Sequence, residues 1–469
     1  MKGISKNFLF SVSVVAIGFF WFGSAFFSYL EVLKANFDAE TAAVIITSLS
    51  YGAQMLGILF YVLIAARNKK LVENNLVVSS FFILSAVGII GSLTSSNQAV
   101  IIISGVLFNF FGTSGLLLGC QLRCITEKLP QKYYGRAFGF AYAIGSLGTT
   151  LLTFAFGGRC PVGYAAVAIY VPIILLNFAM LRYKDKLPND AAETSLPERA
   201  DNFIPAAEKP VGKNLILISV GVFLVIGILS TINGLTQNAY LEISGEINTT
   251  YIRAFYAVGL IPAGFIIDYS RRMGAIAALA ANGLSFLFVL LVITPGRGFE
   301  ALALNYLLAG FLRVYQVATS MDIARKTQRL FYFSVFGILF NRLGEVIATL
   351  PYNYIQFDLL RETMLASTFF VILLLLFFPL MKKLYDPVLP EPASAVPERT
   401  LDEMIEGYGF TNRETEVLKL LIRGQETNEI AEAMVITEKS VQNYIGSMLS
   451  KTGTKSRHKL TTMFYHRKH

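Results

Sequence analysis

Runs of about 20 apolar residues recur along the first four fifths of the 469-residue chain, each long enough to cross a hydrocarbon layer of about 30 Å at 1.5 Å per residue. They cover residues 8–29, 41–66, 76–94, 99–122, 136–156, 162–181, 215–237, 251–267, 276–294, 302–323, 330–351 and 364–381. Nothing else in the chain constrains the fold so strongly, because a segment of this kind is stable in lipid only as a helix or a closed barrel strand, and these runs are too long for strands. The expectation is an all-α polytopic membrane protein with twelve transmembrane helices. Composition agrees, with 54% hydrophobic and only 15% charged residues. The first run is too long for a removable signal peptide and lacks a small-residue cleavage pattern.

Basic residues set the expected orientation, since cytoplasmic loops retain Lys and Arg. With the N-terminus inside, the inner loops carry twenty-two of them, while the outer loops carry four, Lys34, Arg159, Arg297 and Arg361. An even number of crossings returns the C-terminus to the cytoplasm, so the expected location is the cytoplasmic (inner) membrane with both termini inside. The net charge of +9 is mostly this bias.

Three parts follow. A first six-helix half at 1–182 and a second at 215–383 flank a polar connector at 183–214 containing Pro188, Pro197, Pro205 and Pro210. A proline-rich linker at 384–404 then leads to a polar tail at 405–469; at about 3.1 Å per residue the linker reaches on the order of 50 Å. The 6+6 pattern resembles the major facilitator superfamily. The stretch GFIIDYSRRMG, Gly264 to Gly274, is similar to that family's loop signature, with Asp268 placed to accept hydrogen bonds and Arg271 and Arg272 on the inner side. Tyr269 stands where the family usually has a basic residue, and the equivalent place after the second run has no such Asp. That resemblance implies the fold and not transport.

The tail reads as four short helices. Thr411 and Glu414 form a capping box before a helix whose apolar side is Val417, Leu420 and Leu421. Gly424 ends it. Thr427 is placed to cap a second helix burying Ile430, Ala431 and Met434, and Thr437 a third that runs to Thr452, with Gly453 as its stop. Val441, Ile445, Met448 and Leu449 make a buried stripe on that third helix. Its other face carries Lys439, Ser440, Gln442, Asn443, Gly446, Ser447 and Ser450, either a solvated surface or a surface that reads base edges and phosphates. Thr411, Arg413, Glu414, Glu416, Val417, Leu418, Gly424, Glu429, Ile430, Ala431, Ile436, Val441, Lys451, Gly453 and Arg457 together match the LuxR-type (NarL/GerE-like) helix-turn-helix pattern.

That resemblance implies DNA binding as a homodimer, with Gln442, Asn443 and Gly446 facing bases, Tyr444 where a His is common, and Lys439, Ser440, Ser447, Lys451, Lys455 and Arg457 completing the contact set. The last helix, about 457–466, would supply the dimer contact. Lys is frequent in the family where this chain has Gln442 and Gly446, so its operator differs and its binding is less salt-dependent. The membrane body occupies the place of the usual input domain, as in membrane-bound LuxR-type regulators of gut Actinobacteria.

Charges inside the apolar runs point to a small-molecule effector, because a buried ion is costly unless paired or wet. Arg313, Arg342 and Glu345 are the candidate ligand-binding residues, with a structural Arg342–Glu345 pair as the other reading. Asn109, Gln121, Asn233, Gln237, Asn305, Gln316 and Asn341 add polar lining or interhelical hydrogen bonds. Phe19, Phe20, Trp21, Phe22, Phe26 and Phe27 surround all faces of their helix and read as lipid-facing or packed core. Cys120, Cys124 and Cys160 read as buried and reduced, with redox sensing as the alternative. No phosphate loop, catalytic constellation, metal cluster or cofactor signature is present, and the three His, at 458, 466 and 469, lie in the tail. The expected function is a membrane-bound one-component transcriptional regulator; the alternative is a transporter with a regulatory tail.

Overall fold

The computed structural model describes residues 6–113, 115–183, 213–244, 249–252, 254–292, 298–327, 329–352, 359–385, 407–422, 425–454, 456, 457, 460 and 461. Among these there is no β-strand. The chain divides into two compact units, Met1–Tyr385 and Asp386–His469. Most of the connector and the linker, the helix stop expected at Gly424, the DNA-contact candidate Lys455 and most of the last helix lie outside the described residues.

The first unit is a bundle of helices. Its first half contains α1 (Lys6–Asn36), α2 (Tyr51–Arg67), α3 (Asn75–Thr94), α4 (Gln98–Gly112), α5 (Gly115–Lys128), α6 (Tyr134–Ala155) and α7 (Gly163–Tyr183). The second contains α8 (Lys213–Ser244), α9 (Ala254–Tyr269), α10 (Arg271–Val292), α11 (Gly298–Lys326), α12 (Phe336–Tyr352) and α13 (Leu359–Tyr385). Seven described helices are long and apolar enough to cross a membrane, and Gln98–Gly112 and Ala254–Tyr269 are shorter apolar helices. The fourth apolar run is not one helix: α4 ends at Gly112 and α5 starts at Gly115, with Thr113 leaving helical geometry at φ −99° and ψ 2°. The second run is also irregular, with a π-helical turn at Ile45–Ser50 ahead of α2.

The halves meet where α6 packs on α9 and α2 on α12. Small residues make the first crossing close. A Cβ at Gly264 would stand 2.6 Å from the Gly135 carbonyl oxygen, and one at Gly139 would stand 2.6 Å from that of Leu260. Only glycine admits this backbone approach, as in small-residue helix crossings in membranes. Trp21, Tyr29, Tyr61, Phe108, Phe138, Tyr170, Phe223 and Phe377 fill the interior. Cys120, Cys124 and Cys160 are buried and in no disulfide.

The second unit holds α14 (Asn412–Ile422), α15 (Thr427–Met434) and α16 (Glu438–Thr452) around its own core. Val417, Leu418, Leu421 and Ile422 are buried in α14; Leu420, expected inside, is only partly buried, because the packed stripe is rotated by one position. Ile430 and Ala431 are buried in α15, and Val441, Ile445 and Met448 in α16, with Met434 and Leu449 half-buried against them. Helix starts follow the local sequence with one correction. The backbone N–H of Glu426, not Thr427, opens α15 by donating to the Glu429 carboxylate at 2.8 Å. Thr427 Oγ1 accepts instead from Arg457 at 3.1 Å. Thr437 caps α16 by accepting from Ser440 N at 3.3 Å, and Gly453 stops it with φ +67°.

Candidate nucleic-acid interface and central cavity

In the tail, the cap at Thr411 and the end of α16 are tied to one carboxylate. Glu414 accepts from Thr411 N at 2.6 Å, from Lys451 Nζ at 2.7 Å and from Ser447 Oγ at 2.6 Å, and its own N–H donates to Thr411 Oγ1 at 3.3 Å. Burial alone raises its pKa, but the hydrogen bonds from Lys451, Ser447 and Thr411 outweigh that and bring it down to about 2. Ser447 and Lys451, expected on DNA, thus also bond within the domain, Lys451 from an exposed position. Lys451 also donates to the Gly409 carbonyl at 3.1 Å. Arg457 is similarly used, donating to Thr427 Oγ1 at 3.1 Å and the Gln425 carbonyl at 2.5 Å, which ties this residue to the start of α15.

What α16 leaves open is Lys439, Gln442, Asn443 and Gly446, all exposed, with Ser440 and Tyr444 half-buried beside them. A Cβ added at Gly446 would meet nothing within 4 Å, so no packing within the domain requires glycine there. An exposed glycine inside a helix costs up to about 1 kcal/mol relative to alanine.

A partly open cavity of about 370 Å³ lies between the halves of the body. Arg313, Arg342 and Glu345 all line it, so the structure brings the three ligand candidates together. Arg342 Nη1 donates to Glu345 Oε2, which means that the pair and the cavity lining, offered above as alternatives, are both present. Asn341 Nδ2 donates to Glu345 Oε1 at 2.7 Å, and Gln316 Nε2 to Asn341 Oδ1 at 2.7 Å. Arg313 donates to Gln316 Oε1 at 3.3 Å and Tyr256 Oη at 3.4 Å, and lies 3.8 Å from Glu345. Arg342 sits over the Tyr51 ring, 5.0 Å from its centroid.

The aromatic reading of α1 needs correcting. Phe19, Phe22, Phe26 and Phe27 line the cavity, because the helix faces the junction of the halves instead of lipid along that side. Sequence reasoning missed Tyr51, Tyr142 and Tyr256, which also line the cavity and which nothing in their local pattern separates from packed core. Of the amides, Asn305 and Gln316 line the space, whereas Asn109 accepts from Gln54 at 2.7 Å and Gln121 donates to Asn177 at 3.1 Å in interhelical contacts. Asn233 and Gln237 lie outside the residues with described side chains. Gln54 also lines the cavity, and its carboxamide oxygen has no hydrogen-bond partner.

Away from the cavity the halves are stapled by a second polar cluster. Asp268, at the end of α9, accepts from Gly135 N at 2.8 Å, Arg136 N at 2.9 Å and Arg136 Nε at 2.9 Å, all at the start of α6. Arg271 joins Asp268 at 3.1 Å to Asp322 at 2.8 Å and donates to the Gln131 carbonyl at 2.8 Å. Gln131 closes the ring through Asp322 at 2.8 Å.

Residues 409–464 match the family described as "Bacterial regulatory proteins, luxR family". The spore germination protein GerE of Bacillus subtilis (strain 168) is 45% identical over 48 residues, 10% of this chain and 65% of that protein. The chain thus spans under two thirds of this curated relative's length. Among solved structures, the major facilitator superfamily transporter FucP in its outward conformation matches at 13% identity with a TM-score of 0.51, over 80% of this chain and 99% of that one. A variant of the E. coli fucose:proton symporter FucP matches at 12% identity and a TM-score of 0.50, with the same coverage. At such identities the likeness shows the fold alone. The chain therefore joins a luxR-family DNA-binding helix-turn-helix domain, at residues 409–464, to a membrane body of the major facilitator fold.

Proposed function

We propose that this chain is a membrane-bound one-component transcriptional regulator whose body binds a small-molecule effector and whose tail grips DNA as a homodimer. One observation carries the reading: a ligand-sized cavity bearing Arg313, Arg342 and Glu345 lies in the same chain as a luxR-family domain, where a soluble regulator would have its input module. In this reading the body crosses the cytoplasmic membrane twelve times, the broken fourth run and the helices α9 to α12 completing the set, and both termini face the cytoplasm as the basic loops demand. An effector shifts DNA binding by preferring one arrangement of the two halves, each tenfold preference supplying about 1.4 kcal/mol. The proline-rich linker transmits that arrangement as the separation of two tails on half-sites about one helical turn apart.

In the DNA contact, Gln442 and Asn443 read base edges, Gly446 lets the helix lie close to the duplex, and Lys439 and Ser440 hold phosphates. Replacing Gln442 and Asn443 by alanine should lower the preference for operator by about 1–3 kcal/mol per lost contact pair and leave binding to random DNA nearly unchanged. Electrophoretic mobility titrations on both DNAs measure this, and equal losses on the two would remove these residues from the reading surface.

The sensor reading is separated from transport by truncation after Lys383. Regulation in cells should vanish, and the truncated body in vesicles should bind candidate effectors without accumulating them. Saturable, gradient-driven uptake by that body would instead support a transporter carrying a regulatory tail. The Glu345 carboxylate is engaged at both oxygens, by Asn341 and by Arg342, which leaves no open carboxylate on the described cavity wall and favours the sensor.

A further inference from the structure

The cavity's charge is not balanced from within. Its charged lining residues, among those described, are Arg313, Arg342 and Glu345, two positive and one negative, leaving a formal excess of one positive charge. The two arginines differ in what they still offer. Arg313 divides its donors among Tyr256, Gln316 and Glu345. Arg342 gives Nη1 to Glu345 and lays its plane near Tyr51, while its Nε and Nη2 groups donate to no described residue. Those two N–H groups lie parallel along one edge of the guanidinium, the fork that holds a carboxylate bidentately. A cationic group set among apolar walls is costly, and an anionic guest relieves that cost.

The cavity wall that leads to Arg342 is a run of flat aromatic rings. Phe22 stacks on Phe26 with ring centroids 6.4 Å apart and planes 27° apart, and Phe26 stacks on Tyr51 at 6.3 Å and 17°. Tyr51 in turn carries Arg342 at 5.0 Å. Three rings and a guanidinium thus form one stepped surface, apolar at one end and cationic at the other. Its 370 Å³ lies near the lower limit of small-molecule sites, about 300–1,000 Å³.

We infer that the effector is a small organic carboxylate with a flat, aromatic body, its carboxylate on the Nε–Nη2 edge of Arg342 and its ring against Phe22 and Phe26. This rests on the proposal that the cavity is an effector site. A cationic ligand meets the uncompensated positive charge there, and a neutral one leaves the fork unfilled.

The test uses the full-length protein in phosphatidylcholine nanodiscs. Trp21, the single tryptophan, has its ring 5.9 Å from Phe22 and reports occupancy by fluorescence. Three probe sets of matched shape are titrated: benzoate, phenylacetate and 3-phenylpropionate; the corresponding amides; and the corresponding amines. Carboxylates should bind at least about tenfold tighter than their amides, and amines should bind weakest. Arg342→Lys, which keeps the charge but not the fork, should weaken the carboxylates about tenfold, and Arg342→Met should erase their advantage. Glu345→Gln should strengthen it, which a merely structural role for the pair would not produce. Melting curves of each variant show whether the body remains folded. Amides or amines binding as tightly as carboxylates, or an advantage that persists in Arg342→Met, would overturn the carboxylate assignment while leaving the effector site in place. No response to any of the three charge types, in fluorescence or in melting temperature, would overturn both.

Discussion

Replacing Glu414 by alanine should leave the DNA-binding tail largely unfolded at physiological temperature. The Glu414 side chain is 4% exposed and neutralises Lys451 while completing the cap at Thr411. Its removal strands three donors: the Thr411 N–H, the Ser447 hydroxyl and the Lys451 ammonium. Loss of an N-terminal cap costs about 0.5–2 kcal/mol, and each lost hydrogen bond to the buried carboxylate about 1.5–3 kcal/mol. A domain of this size is stable by only about 3–8 kcal/mol at roughly 0.05–0.15 kcal/mol per residue. Thermal melting of a fragment from Leu401, followed by circular dichroism, checks this; a drop of less than about 1 kcal/mol would show that the cluster is dispensable. A pH dependence accompanies it. Because the folded pKa of about 2 lies below the ordinary carboxylate value of 4.5, the stabilisation is complete above pH 4.5 and disappears as pH falls through 2. The shift corresponds to roughly 3 kcal/mol, and Glu414→Gln should flatten that part of the stability profile.

Asp268→Ala should open the stapled end of the membrane body. The Asp268 side chain is 1% exposed and belongs to the second half, yet three of its donors come from Gly135 and Arg136 in the first. A carboxylate at the N-terminus of α6 satisfies two N–H groups that no helix carbonyl reaches and complements the positive end of the helix dipole. Without it, Arg136 and Arg271 lose a shared counter-ion, at a cost of about 3–5 kcal/mol that falls on the arrangement in which Asp268 bridges the halves. A bias of about 3 kcal/mol changes a two-state population more than a hundredfold. Hydrogen exchange at residues 131–140 should therefore accelerate, and the regulatory output should become independent of effector. Asp268→Asn, which keeps an acceptor for the α6 N–H groups but not the charge, should fall between. Unchanged exchange in the alanine variant would mean that the glycine crossing of α6 on α9 holds the halves without the staple.

The apolar runs, the tail's helices and most of their caps were legible in the amino-acid order because each depends on neighbours within about four residues: the length of an apolar stretch, the spacing of Thr411 and Glu414, the glycine at position 453. The same locality explains the misreadings. Thr427 and Glu426 are both plausible helix starts, and the choice went to Glu426 because Arg457, thirty residues away, occupies the Thr427 hydroxyl. Ser447 and Lys451 share a helix with Gln442 and were read as facing DNA; that both also bond to Glu414, 33 and 37 positions earlier, has no signal within their own turns. In the body, Arg313, Arg342 and Glu345 were recognisable as charges too costly to bury idly; that they meet, and that Phe22, Phe26 and Tyr51 form a wall leading to Arg342, depended on the packing of α2 against α12 and on Phe26 of α1 stacking on Tyr51. Asp268 is the same case at longer range, its partners lying 132 and 133 residues away. Helix formation and capping are settled by the few residues inside one or two turns, so the order of residues determined them. Closure of an ion pair, an aromatic wall or a cavity requires segments distant in the chain to converge, and only the tertiary structure decides which polar groups then find each other and which are left to bind something else.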